Sequence, residues 1–219
     1  MKQLSIWTKL YLGMIAFSLG GTLLTALTDI DPGPVKPSAS LLTIAFGFIS
    51  IARAAHWGYA LAVLLVGAAA EICGMFTGYP FGRYEYTDRW WPTLELSQGH
   101  VFPVLVPFAW FLVAGGCSVA LKPIGKASLV FAPIVATLID FFMEPVMVRV
   151  LGYWRWIDSG PLPGGAPWMN AVGWFATSLA AAWILGKPKS KNPEDAAWVV
   201  IGFVVLLAGF WLIHEWLTS

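Results

Sequence analysis

The chain of 219 residues is 58% hydrophobic and 11% charged, and its mean hydropathy of +0.71 is far above that of a soluble domain. Its net charge of +1 provides no basic stripe that could neutralise phosphates, which argues against nucleic acid as a partner. We expect a single domain, residues 1–219, embedded in a lipid bilayer, because no polar segment is long enough to fold separately.

Seven apolar stretches are long enough to cross a bilayer, which takes about 20 residues per helix. They predict an all-α integral membrane protein, a bundle of about seven transmembrane helices. The first stretch superficially resembles a signal peptide, but its apolar run is long and no clean small-x-small cleavage site follows, so we predict a helix. The seven stretches are Leu10 to Leu27, Ser38 to Ala54, Gly58 to Thr77, Val101 to Leu121, Ala127 to Val150, Trp168 to Leu185 and Ala196 to Leu217.

Basic residues gather on one side of this predicted topology. The amino terminus and the second, fourth and sixth loops hold eight of the thirteen Lys and Arg residues, accompanied only by Glu194 and Asp195. The positive-inside tendency therefore predicts a multi-pass protein of the cell membrane with a cytoplasmic amino terminus and an external carboxyl terminus. The eight residues are Lys2, Lys9, Arg53, Lys122, Lys126, Lys187, Lys189 and Lys191.

The opposite side carries the acidic and aromatic loops. It holds Asp29, Asp31 and two long connections, residues 78–100 and 152–167. Tryptophan at a membrane boundary usually belongs to an interfacial belt. We expect this of most of its tryptophans, with substrate contact as the alternative; they are Trp90, Trp91, Trp154, Trp156 and Trp168.

Three carboxylates interrupt the apolar helices. Glu71 lies in the third, and Asp140 and Glu144, four residues apart on one helical face, lie in the fifth. An ionised acid at mid-membrane costs about 2.5 to 3.5 kcal/mol, which favours a bundle-facing functional role. All three fall in the outer half of the bilayer, where Asn170 and Trp174 begin the sixth helix, so we expect them to meet.

Two interpretations of these acids stay open. In the first they form structural ion pairs with arginines near the same boundary, Arg83, Arg149 or Arg155. In the second they form a catalytic site: two carboxylates on one face in a low dielectric cannot both be ionised cheaply, so one keeps a proton. An acid and a base would then coexist, as general acid and base catalysis requires.

Prolines in the predicted helices and a glycine-containing turn indicate a pocket that contains water. Pro145 removes an amide donor and crowds the carbonyl of Phe141, and Pro103 and Pro107 are expected to do the same near the outer end of the fourth helix. Freed carbonyls are tolerated in a membrane where protein or water satisfies them, although kinks that only shape packing are the alternative. The segment GYPFGRYEY, residues 78–86, predicts an ordered turn that caps the pocket.

With these residues in view, the chain resembles the membrane-bound carotenoid hydratase family, which includes bisanhydrobacterioruberin hydratases and γ-carotene or lycopene 1,2-hydratases. Family members often have aspartate where this chain has Glu144. The motifs that carry the resemblance are EICGMFTGYPFGRYEY (71–86), PVLVPFAW (103–110), DFFMEP (140–145), WRW (154–156) and GAPWMNAVGW (165–174).

The resemblance implies hydration of the terminal isopropylidene double bond of an acyclic carotenoid end to a tertiary alcohol, without a cofactor. Asp140 or Glu71 would be the acid, and the remaining carboxylates and Asn170 would place the water. The lipid bilayer and the lipophilic carotenoid are the expected partners, with other carotenoid biosynthesis enzymes as further candidates. Expected to bind substrate are Tyr84, Tyr86, Trp110, Trp154, Trp156 and Trp174, with Arg83, Arg149 and Arg155.

Other membrane functions find less support in the sequence. A proton- or ion-coupled transporter also places acids in helices but often shows two similar halves, and no internal repeat is visible. A retinal protein needs a lysine in its last helix, and Ala196 to Leu217 contains none. A zinc protease is disfavoured because the histidines are isolated and no HExxH occurs. A noncatalytic partner of carotenoid enzymes stays an alternative.

Cys73 and Cys117 are expected to be small buried hydrophobes.

Overall fold

The structure, a computed structural model, describes residues 3–28, 30–186 and 192–219. Six helices in this part of the chain are long and apolar enough to cross a bilayer, and a seventh is shorter. The predicted all-α integral membrane fold is therefore confirmed. The helices are α1 Ile6–Leu27, α2 Val35–Ala54, α3 Trp57–Thr77, α4 Val106–Ala120, α5 Ser128–Pro145, α6 Trp168–Leu185 and α7 Pro193–Thr218.

The fourth helix differs most from its prediction. Residues Val101–Pro103 form a strand, β3, which pairs antiparallel with β2, Thr93–Glu95, so α4 begins only at Val106. Pro107 then occupies the first turn of α4, where a helix has no amide hydrogen bond to lose. The expectation that Pro103 and Pro107 break this helix is wrong, because both precede its hydrogen-bonded interior.

Helix α4 is the centre of the bundle. It contacts α2, α3, α5, α6 and α7, and every residue from 110 to 119 is buried. A helix that is apolar all round is stable only when other elements enclose it. The short helix α4 is therefore surrounded by longer helices, and the seven helices do not have equivalent positions in the bundle.

Two helices contain a wider, π-helical turn. In α4 it covers Phe111–Gly115, directly after Trp110. Helix α5 continues beyond Pro145 as the π-helical segment Val146–Leu151, which agrees with the predicted loss of a hydrogen bond at this proline. Such turns are rare and often lie beside functional residues.

Beyond the helices, a two-stranded antiparallel ribbon joins the ends of α3 and α5. Its strands are β1, Tyr84–Tyr86, and β4, Trp154–Trp156, in the register Tyr84 to Trp156, Glu85 to Arg155 and Tyr86 to Trp154. Because side chains alternate along a strand, the four aromatic residues share one face and Glu85 and Arg155 share the other. The ribbon thus turns its aromatic face to the bundle.

At the opposite end of the bundle, a buried aspartate joins α1 to α7. Asp195 in the first turn of α7 accepts hydrogen bonds from the backbone N–H of Ser5 at 3.0 Å and from Thr8 Oγ1 at 2.7 Å. Thr8 in turn lies 2.7 Å from the hydroxyl of Ser50 on α2, and Asn192 donates to the second carboxylate oxygen. Asp195 therefore fixes the packing of three helices.

The cytoplasmic amino terminus stays a prediction. Lys2, Lys187, Lys189 and Lys191, like Asp29 on the other side, lie outside the described residues. Of the two cysteines, Cys117 is buried as expected, but Cys73 is exposed on the outer surface of α3, so the prediction of a buried side chain is wrong for Cys73.

Replacing Asp195 with alanine should destabilise the bundle, because the backbone N–H of Ser5 and the amide of Asn192 lose their acceptor and Thr8 keeps only hydroxyl partners; an unmade hydrogen bond of this kind costs about 1 to 3 kcal/mol. We expect a clearly lower apparent melting temperature in detergent. The adjacent Glu194 is exposed, so Glu194→Ala is the matched control and should melt close to the unchanged protein. Equal melting temperatures for both variants would contradict this role of Asp195.

Candidate active site

A cavity that is partly open to its surroundings lies between helices α3, α4, α5 and α6, under the ribbon. Eight of its fourteen lining residues are aromatic, and the polar residues that bring chemistry to it are Glu71, Glu144 and Asn170. Hydrogen bonds and interactions between charges are stronger in such apolar surroundings than in water. The hydrogen-bond partners of each acid therefore determine its chemical role.

Glu71, near the outer end of α3, is buried and accepts three hydrogen bonds from side chains. Tyr84 and Tyr86 of β1 donate to Oε2 at 2.5 and 2.8 Å, and Trp110 of α4 donates its indole N–H to Oε1 at 2.7 Å. All three donors are neutral. Together they stabilise the carboxylate form that Glu71 takes after losing a proton, and among the described residues Glu71 forms no salt bridge.

Glu144, in the last turn of α5, is held in a parallel way by the other strand. Trp154 and Trp156 of β4 donate their indole N–H groups to Oε2 at 3.2 and 2.9 Å. Asn170 of α6 donates to Oε1 at 3.0 Å. Gly164, in the left-handed region with φ of +72°, lets the loop before α6 approach the Glu144 backbone so closely that a Cβ would lie 2.8 Å from its carbonyl carbon.

Asp140 lies one helical turn from Glu144 and is fully buried. Its Oδ2 accepts a hydrogen bond from the Asn170 amide at 2.8 Å, so the same nitrogen joins both acids of α5. Asp140 is not among the residues that line the cavity. The three acids therefore converge as expected, but Asp140 lies behind Asn170 rather than at the cavity surface.

The two ribbon tyrosines act as neutral donors. Burial raises the pKa of Tyr84 and of Tyr86 well above the usual value of a phenol, and the charge of nearby Glu71 raises it further. Both hydroxyl groups consequently keep their protons at neutral pH and direct them to Glu71.

Aromatic rings pack face to face beside the acids. Trp110 and Trp174 stack with ring centroids 3.8 Å apart and planes inclined by 23°, and Phe81 lies 5.7 Å from Trp110 on a tilted plane. Trp174 follows Asn170 by one helical turn, so α6 supplies both an amide and a ring to the cavity. Ring faces of this kind attract cations, by about 2 kcal/mol or more when water is excluded.

The arginines lie elsewhere. Arg83 binds Asp158 at 2.7 Å and Arg155 binds Glu85 at 2.6 Å on the exposed side of the ribbon, and the hydrogen bond from Arg83 lowers the pKa of Asp158. Arg149 is exposed, and none of the three lines the cavity. The ion-pair interpretation is therefore wrong for Arg83 and Arg155, whose described partners are other acids.

Some of the predicted site residues line the cavity and others do not. All six aromatic residues expected to bind substrate line it, which are Tyr84, Tyr86, Trp110, Trp154, Trp156 and Trp174. Trp90, for which an interfacial belt and substrate contact were both open, lines it too, and the sequence did not predict four others, Phe81, Val106, Ala109 and Met143. Phe81 lies inside the motif 78–86 and could have been chosen from it, whereas the aliphatic residues carry no signal beyond their hydrophobicity.

Fold and site together define a multi-pass membrane protein with buried acids in an aromatic cavity. The chain belongs to the carotenoid biosynthesis protein family, whose model matches residues 36–218. This range contains every residue of the cavity and, of the described helices, all except α1 and the first residue of α2. No curated protein and no solved structure matches the chain.

Gly67 of α3 should be essential to the site, because a Cβ there would lie 2.8 Å from Cβ of Trp110. Gly67→Ala must push α4 away and loosen the bond from Trp110 to Glu71, and overpacking of this kind costs about 1 to 3 kcal/mol. A Cβ on Gly20 of α1 would meet nothing within 4 Å, so Gly20→Ala is the control. Thermal unfolding in detergent should show a lower apparent melting temperature for Gly67→Ala alone.

Proposed function

We propose that this protein is a carotenoid hydratase that adds water to the terminal isopropylidene double bond of an acyclic carotenoid end. The observation that carries the proposal is a pair of acids, Glu71 and Glu144, facing one aromatic cavity in a member of a carotenoid biosynthesis family. Water addition leaves the oxidation level of the substrate unchanged, so this chemistry requires an acid, a base and water.

The first step is protonation of the alkene. A carboxylic acid transfers its proton to the less substituted carbon of the double bond, and the π electrons form the new C–H bond. The neighbouring carbon becomes a tertiary carbocation, and the acid becomes a carboxylate. The hydrogen bonds on Glu71 and Glu144 stabilise the carboxylate that is left behind, and the stacked rings stabilise the cation.

The second step is capture of the cation by water. A water molecule donates an electron pair to the tertiary carbon and passes one proton to a carboxylate, which gives the neutral tertiary alcohol. The number of protons on the protein is unchanged over the cycle. A cavity lined mainly by aromatic rings supports this step because it limits the number of water molecules at the cation and so protects it from side reactions.

The substrate fits a site of this kind in a membrane protein. A polyene is as apolar as lipid tails, so its chain can stay in the acyl region while only the end group enters the cavity near the ribbon. With the cytoplasmic amino terminus proposed from the charge distribution, the cavity faces the outer half of the cell membrane.

The direct test is a reaction of the purified protein in lipid nanodiscs with lycopene and ¹⁸O-labelled water. We expect a product that has gained one molecule of water with the label in its hydroxyl group, measured by mass spectrometry. An unchanged carotenoid in the presence of correctly folded protein would contradict the proposal. It would favour the noncatalytic partner, and proton flux in sealed vesicles would favour the transporter.

Glu71→Gln and Glu144→Gln should each reduce the hydration rate at least a hundredfold, because positioned acids and bases contribute about 10² to 10⁴ to a rate. Glutamine keeps the shape of the side chain but cannot exchange a proton. Glu85→Gln is the matched control, since Glu85 lies in the same ribbon with its side chain 42% exposed. If both buried variants, expressed at the normal level, hydrate lycopene fully, the acids are not catalytic.

A further inference from the structure

We propose that the two acids of the cavity divide the reaction, so that Glu71 delivers the proton and Glu144 with Asn170 delivers the water, while Asp140 positions Asn170. This inference rests on the proposed hydratase function and assigns each part of the site a separate step. We call Glu71 with its three donors the proton half, and Glu144, Asn170 and Asp140 the water half.

The described hydrogen bonds separate the halves. Of the two cavity acids, strand β1 donates to Glu71 alone, through two tyrosines, and strand β4 donates to Glu144 alone, through two tryptophans. The third donor also differs, since Trp110 of α4 serves Glu71 and Asn170 of α6 serves Glu144. Each acid can therefore change its protonation state without breaking a hydrogen bond that the other needs.

The orientation of the Asn170 amide follows from its neighbours. Its nitrogen lies 2.8 Å from a carboxylate oxygen of Asp140 and 3.0 Å from one of Glu144. In the structure the NH₂ group faces both acids and donates to each, so both of its protons are used. The carboxamide oxygen is then the atom through which Asn170, which lines the cavity, can bind a water molecule.

A nucleophilic water needs two acceptors for its protons, and the water half offers the stronger pair in two residues. Glu144 supplies a carboxylate oxygen and Asn170 its carboxamide oxygen, so a water held between them points a lone pair away from both. In the proton half, Trp110 is a donor only, and the second acceptor would be a phenol oxygen of Tyr84 or Tyr86, which accepts more weakly than a carboxamide oxygen. Glu71 is therefore better suited to release a proton than to orient a water.

Asp140 acts through Asn170 and does not touch the substrate. It is fully buried and absent from the cavity surface, and its one described side-chain hydrogen bond comes from Asn170. Without this acceptor the Asn170 amide could rotate and present N–H in place of oxygen to the cavity. Asp140 is thus a positioning residue for the water step.

The division has a chemical signature. A tertiary cation that forms without a positioned water loses a proton from a neighbouring carbon, which gives back the starting alkene or its isopropenyl isomer. In D₂O the acid delivers a deuteron and a proton is lost, so the recovered carotenoid gains deuterium without gaining water. Damage to the water half should therefore replace hydration by deuterium exchange, whereas damage to the proton half should stop both.

The experiment follows lycopene in D₂O with purified variants in nanodiscs. Asn170→Leu and Asp140→Leu should lower hydration at least tenfold and raise the deuterium content of recovered carotenoid above that of the unchanged protein. Glu71→Gln should abolish both hydration and exchange. Asp140→Asn keeps an acceptor oxygen for Asn170 and should restore hydration to within about tenfold of the unchanged protein, about 1.4 kcal/mol.

Several results would overturn the division. One is deuterium exchange that persists in Glu71→Gln, and another is Asp140→Asn protein that is folded yet neither hydrates nor exchanges, since Asp140 would then be the acid. A third is loss of exchange in folded Asn170→Leu. Asp195→Asn removes a buried carboxylate far from the cavity and must leave the ratio of hydration to exchange unchanged. If the unchanged protein exchanges deuterium but never adds water, the hydratase function itself fails, although the assignment of Glu71 would stand.

Discussion

The burial of three carboxylates inside an apolar bundle is the constraint on which the structure depends. Glu71, Asp140 and Glu144 are at most 6% exposed. The charged groups described as acting on Asp140 and Glu144 are other acids, not cations. Neutral N–H and O–H groups must therefore replace water. The ribbon supplies four of these donors, and this requirement explains why the loops after α3 and α5 fold back over the helices instead of extending into solvent.

The same constraint shapes the helices. Trp110 reaches Glu71 only because Gly67 leaves space on α3. Helix α4 can be short because other helices surround it. The exposed face of the ribbon carries two salt bridges, and solvent screens such surface pairs so that they contribute little to stability. The ribbon is consequently held mainly by its buried aromatic face, and its position depends on the hydrogen bonds that this face donates to Glu71 and Glu144.

Sequence reasoning predicted the helices and the three acids because both signals are local. Hydropathy marks each span, α6 was predicted with its observed bounds, and an acid in an apolar run stands out. The ribbon could not be predicted in this way, since Glu85 and Arg155 pair across 70 residues of sequence. For the same reason Trp154 and Trp156 could be read as belt or site residues, and the place of Asp140 behind Asn170 required the packing of α5 against α6.

The central claim is that the end of an acyclic carotenoid lies between Glu71 and Glu144 when it reacts. An experimental structure of the protein in nanodiscs with bound lycopene tests it most directly. We expect the terminal double bond in the cavity, about 3 to 3.5 Å from a carboxylate oxygen, with the polyene leaving between the helices toward lipid. A carotenoid bound on the outer surface of the bundle, with the cavity filled only by water, would contradict it.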